Sequence, residues 1–147
     1  MFSGYLLNKS DIMWDIKSLK KMFNLNKLYK EYNIKYFKGK LGDVVFNVYT
    51  QDKNDIPSIA YESTHKKRNG DYSADISFNA ECNWNGENIY KTLLHEMIHY
   101  YHYVLLGRGT ILEHGMLFRL TQLRLLICHG IYVPIYGGKT VKIKKEV

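Results

Sequence analysis

The stretch Thr92-Leu93-Leu94-His95-Glu96-Met97-Ile98-His99-Tyr100-Tyr101 carries an HExxH pattern inside an apolar helical repeat. Side chains four apart share a helix face, so the imidazoles of His95 and His99 can reach one metal ion. Glu96 projects about 100° round from His95, at the edge of that face. There it can contact a metal-activated water and take its proton. The helix is predicted over about 88–106, stopping near Gly107 and Gly109. Leu93, Leu94, Met97, Ile98 and Tyr101 are spaced to hold it in a core.

A catalytic zinc needs a third protein ligand and an open position. The remaining histidines are His65, His102, His114 and His129. His102 projects within about 20° of His95 but lies roughly 10 Å further along the axis. That is too far to share a metal gripped by His95 and His99, so His102 is expected to pack or hydrogen-bond nearby. His129 ends a helix, where the dipole favours an imidazolium. His65 belongs to a basic turn and is expected to be exposed. His114 follows a connection through Gly107 and Gly109 and stands near the start of the next helix. If the two helices fold back on one another, it approaches His95 and His99 from the side, and Gly115 lets the backbone come close. His114 is the favoured third ligand, and its plain structural alternative is a helix cap.

Working upstream, Ser10-Asp11-Ile12-Met13-Trp14 reads as a helix start, with Ile12, Ile16, Leu19 and Phe23 at helical spacing. Asn24 and Asn26 break and recap the chain. A second helix is predicted over 28–37, ended by Gly39. Val44-Val45-Phe46-Asn47-Val48-Tyr49 is strand-like, and Ile59-Ala60-Tyr61 is a second short strand. Asn69-Gly70 is the strongest hairpin signal, with the returning strand over 72–78. Downstream, 113–128 reads as a helix with Leu117, Leu120, Leu123 and Ile127 on its apolar face. The tail, broken by Gly137-Gly138, reads as a hairpin over 131–147, with Pro134 confining its strand to an edge. The expected class is α+β, helices packed around a small, mostly antiparallel sheet. One domain is expected over 1–147, with its core at about 25–128 and a basic hairpin or tail after it.

The stretch from Thr92 to Tyr101 resembles the zinc helix of SprT-like metalloproteases. That family follows it with a His-Gly-x-x-Phe element, matched by His114-Gly115-Met116-Leu117-Phe118. It opens with a helix running into a Tyr-Phe-x-Gly-Lys-Leu element, matched by Tyr36-Phe37-Lys38-Gly39-Lys40-Leu41. The resemblance implies a zincin-like metallopeptidase core holding one Zn2+, with His95, His99 and His114 as ligands and Glu96 as general base. The family often has Gly before the third His, where this chain has Glu113. That carboxylate can orient a ligand from behind or point to solvent. Tyr100, Tyr103 and Arg108 are candidate donors to the oxyanion of the reaction. Many members carry a four-cysteine zinc ribbon that helps bind DNA. Residues 129–147 contain no cysteine, so the ribbon is not expected there.

Composition narrows the partners. The chain has 147 residues, 46% hydrophobic and 24% charged, which suits a folded domain rather than a disordered one. Cys82 and Cys128 are too few for a disulfide scaffold or a four-cysteine zinc site. They point to a reducing compartment, cytoplasmic or nucleoid-associated. No apolar run reaches the ~18 residues of a membrane span. The first residues lack a basic stretch before a long apolar run, which argues against a secretory signal. The net charge of +7 is unevenly spread. Residues 1–40 carry nine Lys against Asp11, Asp15 and Glu31, while six acids against Lys91 and Arg108 make 71–113 acidic. Basic ends suit a polyanion such as DNA, or simply a solvated lysine-rich surface. With 17 Lys to 4 Arg, contacts would be mainly to phosphates. The candidates are Lys66, Lys67, Arg68, Lys139, Lys142, Lys144 and Lys145. Trp14, Trp84 and Tyr29 are either base-stacking platforms or core. The expected function is a zinc-dependent endopeptidase acting on DNA-associated or DNA-crosslinked proteins. The alternatives are a zinc-stabilised nucleic-acid-binding or adaptor module, and a peptidase with a non-DNA target.

Overall fold

A computed structural model describes residues 13–50, 58–109 and 113–135. The chain opens with α1 (Ile16–Phe23) and α2 (Leu25–Phe37). The side chain of Asp15 accepts from the Ser18 N–H at 2.7 Å and so caps α1. The helix therefore starts at Ile16, and residues 13–15 of the expected earlier start are not helical. Asn24 ends α1 and begins α2 with φ of 53°, a left-handed value that Asn tolerates better than most residues. α2 begins three residues earlier than the sequence pattern suggests, because Asn24 alone makes the break.

Three strands follow: β1 (Asp43–Tyr49), β2 (Ala60–Lys66) and β3 (Tyr72–Asn79). β2 and β3 form the hairpin announced by Asn69-Gly70, antiparallel and in register from Lys66 opposite Tyr72 to Ala60 opposite Phe78. β1 lies on the other edge of β3 and runs parallel to it, with Phe46 opposite Ile76. The sheet is thus mixed, one antiparallel pair and one parallel pair. A hairpin turn is written in neighbouring residues. The pairing of β1 with β3 joins segments some thirty residues apart and leaves no local mark.

The chemistry-bearing element is α3 (Gly86–Leu106). Its start is a reciprocal cap: Asn85 accepts from the Asn88 N–H at 3.0 Å, and the Asn88 side chain accepts from the Asn85 N–H at 2.8 Å. Gly107, at φ of 72°, ends it. α3 packs on β2 and β3. Its Ile89, Leu93, Met97 and Ile98 join Phe46, Ile76, Phe78 and the α1–α2 residues Leu19, Leu25, Tyr29 and Phe37 in one buried core. Among the described residues, no helix is long and apolar enough to cross a membrane.

α4 (Met116–His129) corrects an expectation. Its buried residues are Phe118, Thr121 and Leu125, while Leu117, Leu120, Leu123 and Ile127 are exposed. Apolar residues surround this helix, so periodicity does not choose a face. Tertiary bonds do: His102 Nε2 donates to Thr121 Oγ1 at 2.8 Å, and Arg124 donates to the Tyr36 carbonyl at 2.9 Å. The expected tail hairpin is also corrected where it is described, since residues 131–135 form no strand. Residues 136–147 lie outside the described residues.

Gly42 marks a close junction between the start of β1 and the core. Its N–H donates to the Tyr100 hydroxyl at 3.0 Å, and its carbonyl accepts from the Tyr29 hydroxyl at 2.7 Å. A Cβ placed there would meet the Tyr72 carbonyl oxygen at 2.3 Å and the Tyr100 hydroxyl at 3.0 Å. The first obstacle is backbone and cannot swing aside. Gly42→Ala is therefore expected to destabilise the fold by about 1–3 kcal/mol. Urea unfolding checks it, and an unchanged midpoint would mean that β1 can shift without cost.

Candidate metal centre

α3 carries His95 and His99 on one face, one turn apart. α4 is preceded by Glu113-His114-Gly115. The fold-back of α4 on α3, held by His102 and Thr121, brings His114 onto the same spot. His95 Nε2 lies 3.2 Å from His99 Nε2 and 3.0 Å from His114 Nε2. The ligand atoms of all three residues lie within 4.8 Å of one another, so the group can hold a metal ion.

Three features orient these rings. The Nδ1–H of His95 donates to the Pro134 carbonyl at 2.8 Å, which leaves Nε2 of that ring with its lone pair toward the other two. The segment supplying that carbonyl is pinned by buried Val133 and by Gln122, whose side chain donates to the Val133 carbonyl at 2.5 Å. The Phe118 ring packs against all three imidazoles, with centroids 4.8, 5.1 and 5.0 Å from those of His95, His99 and His114. Burial in this apolar setting disfavours the charged rings. It lowers His95 to about 4 and His99 to about 3, helped in each by a neighbouring histidine, and it also lowers His114. All three rings are thus neutral near pH 7, the form that binds metal.

Glu96 is 5% exposed, and its Oε2 meets no hydrogen-bond donor among the described residues. Burial, then the charges of Glu62 and Glu113, push its pKa up to about 8. A cation beside it would act in the opposite direction and favour the carboxylate. Glu62 had no signal in the sequence. It sits half-buried on β2, the strand that packs on α3, and accepts from the Thr64 hydroxyl. Burial raises it to about 7. The run Tyr61-Glu62-Ser63-Thr64-His65 has no apolar alternation to reveal which side chains turn inward.

The other expected residues separate. Tyr100 is fully buried on the sheet side of α3, accepting from the Gly42 N–H and donating to the Asp43 carbonyl at 3.1 Å. Both bonds hold β1, so the hydroxyl is committed there and does not serve as an oxyanion donor. Tyr103 packs its ring against Tyr72, and Arg108 is exposed beyond the end of α3. Glu113 is exposed but close enough to act on the charges of Glu62, Glu96 and His114. His65 is exposed on β2, and His129 ends α4 with its ring against Tyr36. Lys66, Lys67 and Arg68 are exposed at the β2–β3 turn, with Lys67 paired to Asp43 at 2.5 Å. Lys139, Lys142, Lys144 and Lys145 lie outside the described residues. Trp84 and Tyr29 are buried core residues rather than base-stacking platforms, and Trp14 is half-buried against Phe23.

The SprT-like family model matches the chain over residues 25–133, from the start of α2 to the segment that holds His95. A search of curated proteins finds no match.

Proposed function

The chain belongs to the SprT-like family, and from that premise we propose that it is a zinc-dependent endopeptidase acting on DNA-associated or DNA-crosslinked proteins. The observation that carries the peptidase reading is the convergence of three neutral imidazoles beside one buried carboxylate whose Oε2 meets no donor among the described residues. The donor set fits zinc. Nitrogens bound at ~2.0–2.1 Å at tetrahedral angles stand about 3.3 Å apart. The two separations at His95 are 3.2 and 3.0 Å. His95, His99 and His114 would hold the ion, and the Pro134 carbonyl would fix the tautomer of His95. Zinc held there supplies Lewis-acid polarisation of a peptide carbonyl and lowers the pKa of water toward neutrality.

The chain's own part is proton transfer. Glu96 Oε2 takes the proton of the attacking water and delivers it to the nitrogen of the leaving amine. A carboxylate whose oxygen already accepted a strong hydrogen bond would be a poorer base; Glu96 Oε2 has none among the described residues. A site that held metal only for structure would gain nothing from a charge buried beside it, which disfavours the adaptor reading.

The DNA part of the proposal rests on charge. Lys66, Lys67 and Arg68 form an exposed basic turn, and the chain carries +7 overall. Three phosphate contacts by this turn would make single-strand affinity fall roughly 20-fold between 50 and 200 mM salt. Anisotropy of a labelled oligonucleotide tests this, with peptide cleavage followed in parallel. Affinity that ignores salt would contradict the phosphate contacts. Cleavage that single-stranded DNA does not stimulate would favour a peptidase with a non-DNA target.

A further inference from the structure

α4 is apolar on the side that faces the core and on the side that does not. Opposite Phe118, Thr121 and Leu125 runs a stripe of Met116, Leu120, Leu123 and Ile127, exposed by 77, 55, 50 and 72%. A helix on a protein surface normally turns charged and polar residues outward. Here Leu117 and Leu126 extend the stripe on its two flanks. An exposed run of large apolar side chains of this kind marks an interaction site on a soluble chain rather than ordinary surface.

We propose that this stripe is the seam of a homodimer, in which α4 of one protomer packs antiparallel on α4 of a second copy. The steps along the stripe are four, three and four residues, the spacing of a coiled-coil seam. Read backwards, the steps are the same. A two-fold axis level with Thr121 and Gln122 therefore sets Met116 opposite Ile127 of the partner and Leu120 opposite Leu123. An isologous interface requires such self-complementarity, and a heterologous partner would not. A standard interface takes about 800 Å2 from each partner, so the seam would extend past its four central side chains to the rim residues of α4. No charged side chain lies among Met116, Leu120, Leu123 and Ile127 themselves. Arg119 sits beside it at the rim, and Arg124 is engaged by the Tyr36 carbonyl. The metal centre stays uncovered, because Phe118, which touches the three histidines, lies on the far side of α4.

Sedimentation of the full, zinc-supplemented chain across the micromolar range tests this. The expected mass is twice the 17.3 kDa of one chain. Leu120→Glu with Leu123→Glu should give a monomer with unchanged zinc content and circular dichroism, since both side chains are outside the core. A wild type that stays monomeric throughout overturns the proposal and points to a different occupant of the stripe. A double variant that still dimerises places the interface elsewhere and overturns it equally. The register has its own test. With Cys128→Ser, the variant Met116→Cys/Ile127→Cys should oxidise to an interchain 116–127 disulfide. A 116–116 link would mean parallel helices and overturn the antiparallel arrangement.

Discussion

Glu96→Gln is expected to slow peptide cleavage by about 10²–10⁴-fold, the range a positioned general base contributes. Zinc content should remain at the wild-type level. The two outcomes separate because Glu96 is not one of the three converging histidines. Gln keeps the shape of Glu but cannot take a proton at neutral pH. The fold should tolerate the change. Gln matches Glu in size, and the change breaks no hydrogen bond to Oε2 among the described residues. The measurement is cleavage of an unstructured protein substrate, with elemental analysis of the same sample. Full activity with zinc bound would sink the assignment of the base. Loss of zinc together with activity would instead make Glu96 part of the binding site.

His114→Ala is expected to strip most of the zinc from protein purified without added metal, against about one ion per wild-type chain. Removing an outer partner of a metal ligand typically costs 10–100-fold in affinity, and losing a ligand itself should cost more. The variant should still fold. His114 is only half-buried and precedes α4, whose attachment runs through Thr121, Arg124 and Phe118. Thermal unfolding gives a second readout. A ligand at a hundred times its dissociation constant stabilises by about 2.7 kcal/mol. Added zinc should therefore raise the melting temperature of the wild type and leave that of the variant nearly unchanged. Equal zinc in both proteins would show that His114 is dispensable for holding it. A folded wild type that takes up no zinc would overturn the metallopeptidase reading.

Much of the fold was legible because its signals are local. The 88–106 helical pattern corresponds to Gly86–Leu106, since caps and breakers sit within a few residues of the ends they control. Asn24 and Asn69-Gly70 acted where they stand, one as a helix boundary and the other as a hairpin turn. The pairing of His95 with His99 was legible for the same reason, since helical pitch alone sets them side by side. Tyr100 was not, because its place next to His99 in sequence says nothing of which groups meet its hydroxyl. Those groups are Gly42 and Asp43, at the start of a strand more than fifty residues earlier. Pro134 read as an edge-strand residue by its missing N–H. Its carbonyl, which every residue possesses and no pattern marks, is the part that meets His95.

The sequence by itself determined an α+β chain with two imidazoles and a carboxylate on one helix, since turns, caps and helical periods act over a few residues. Tertiary structure decided how three remote pieces close around them. α4 delivers His114 and Phe118, residues 131–135 deliver the Pro134 carbonyl, and β2 delivers the half-buried Glu62. It also decided which side of α4 the core takes. With apolar residues all round, hydrophobic burial favours either side alike. The choice falls to directional bonds from His102 and Arg124, and it leaves an apolar stripe outside.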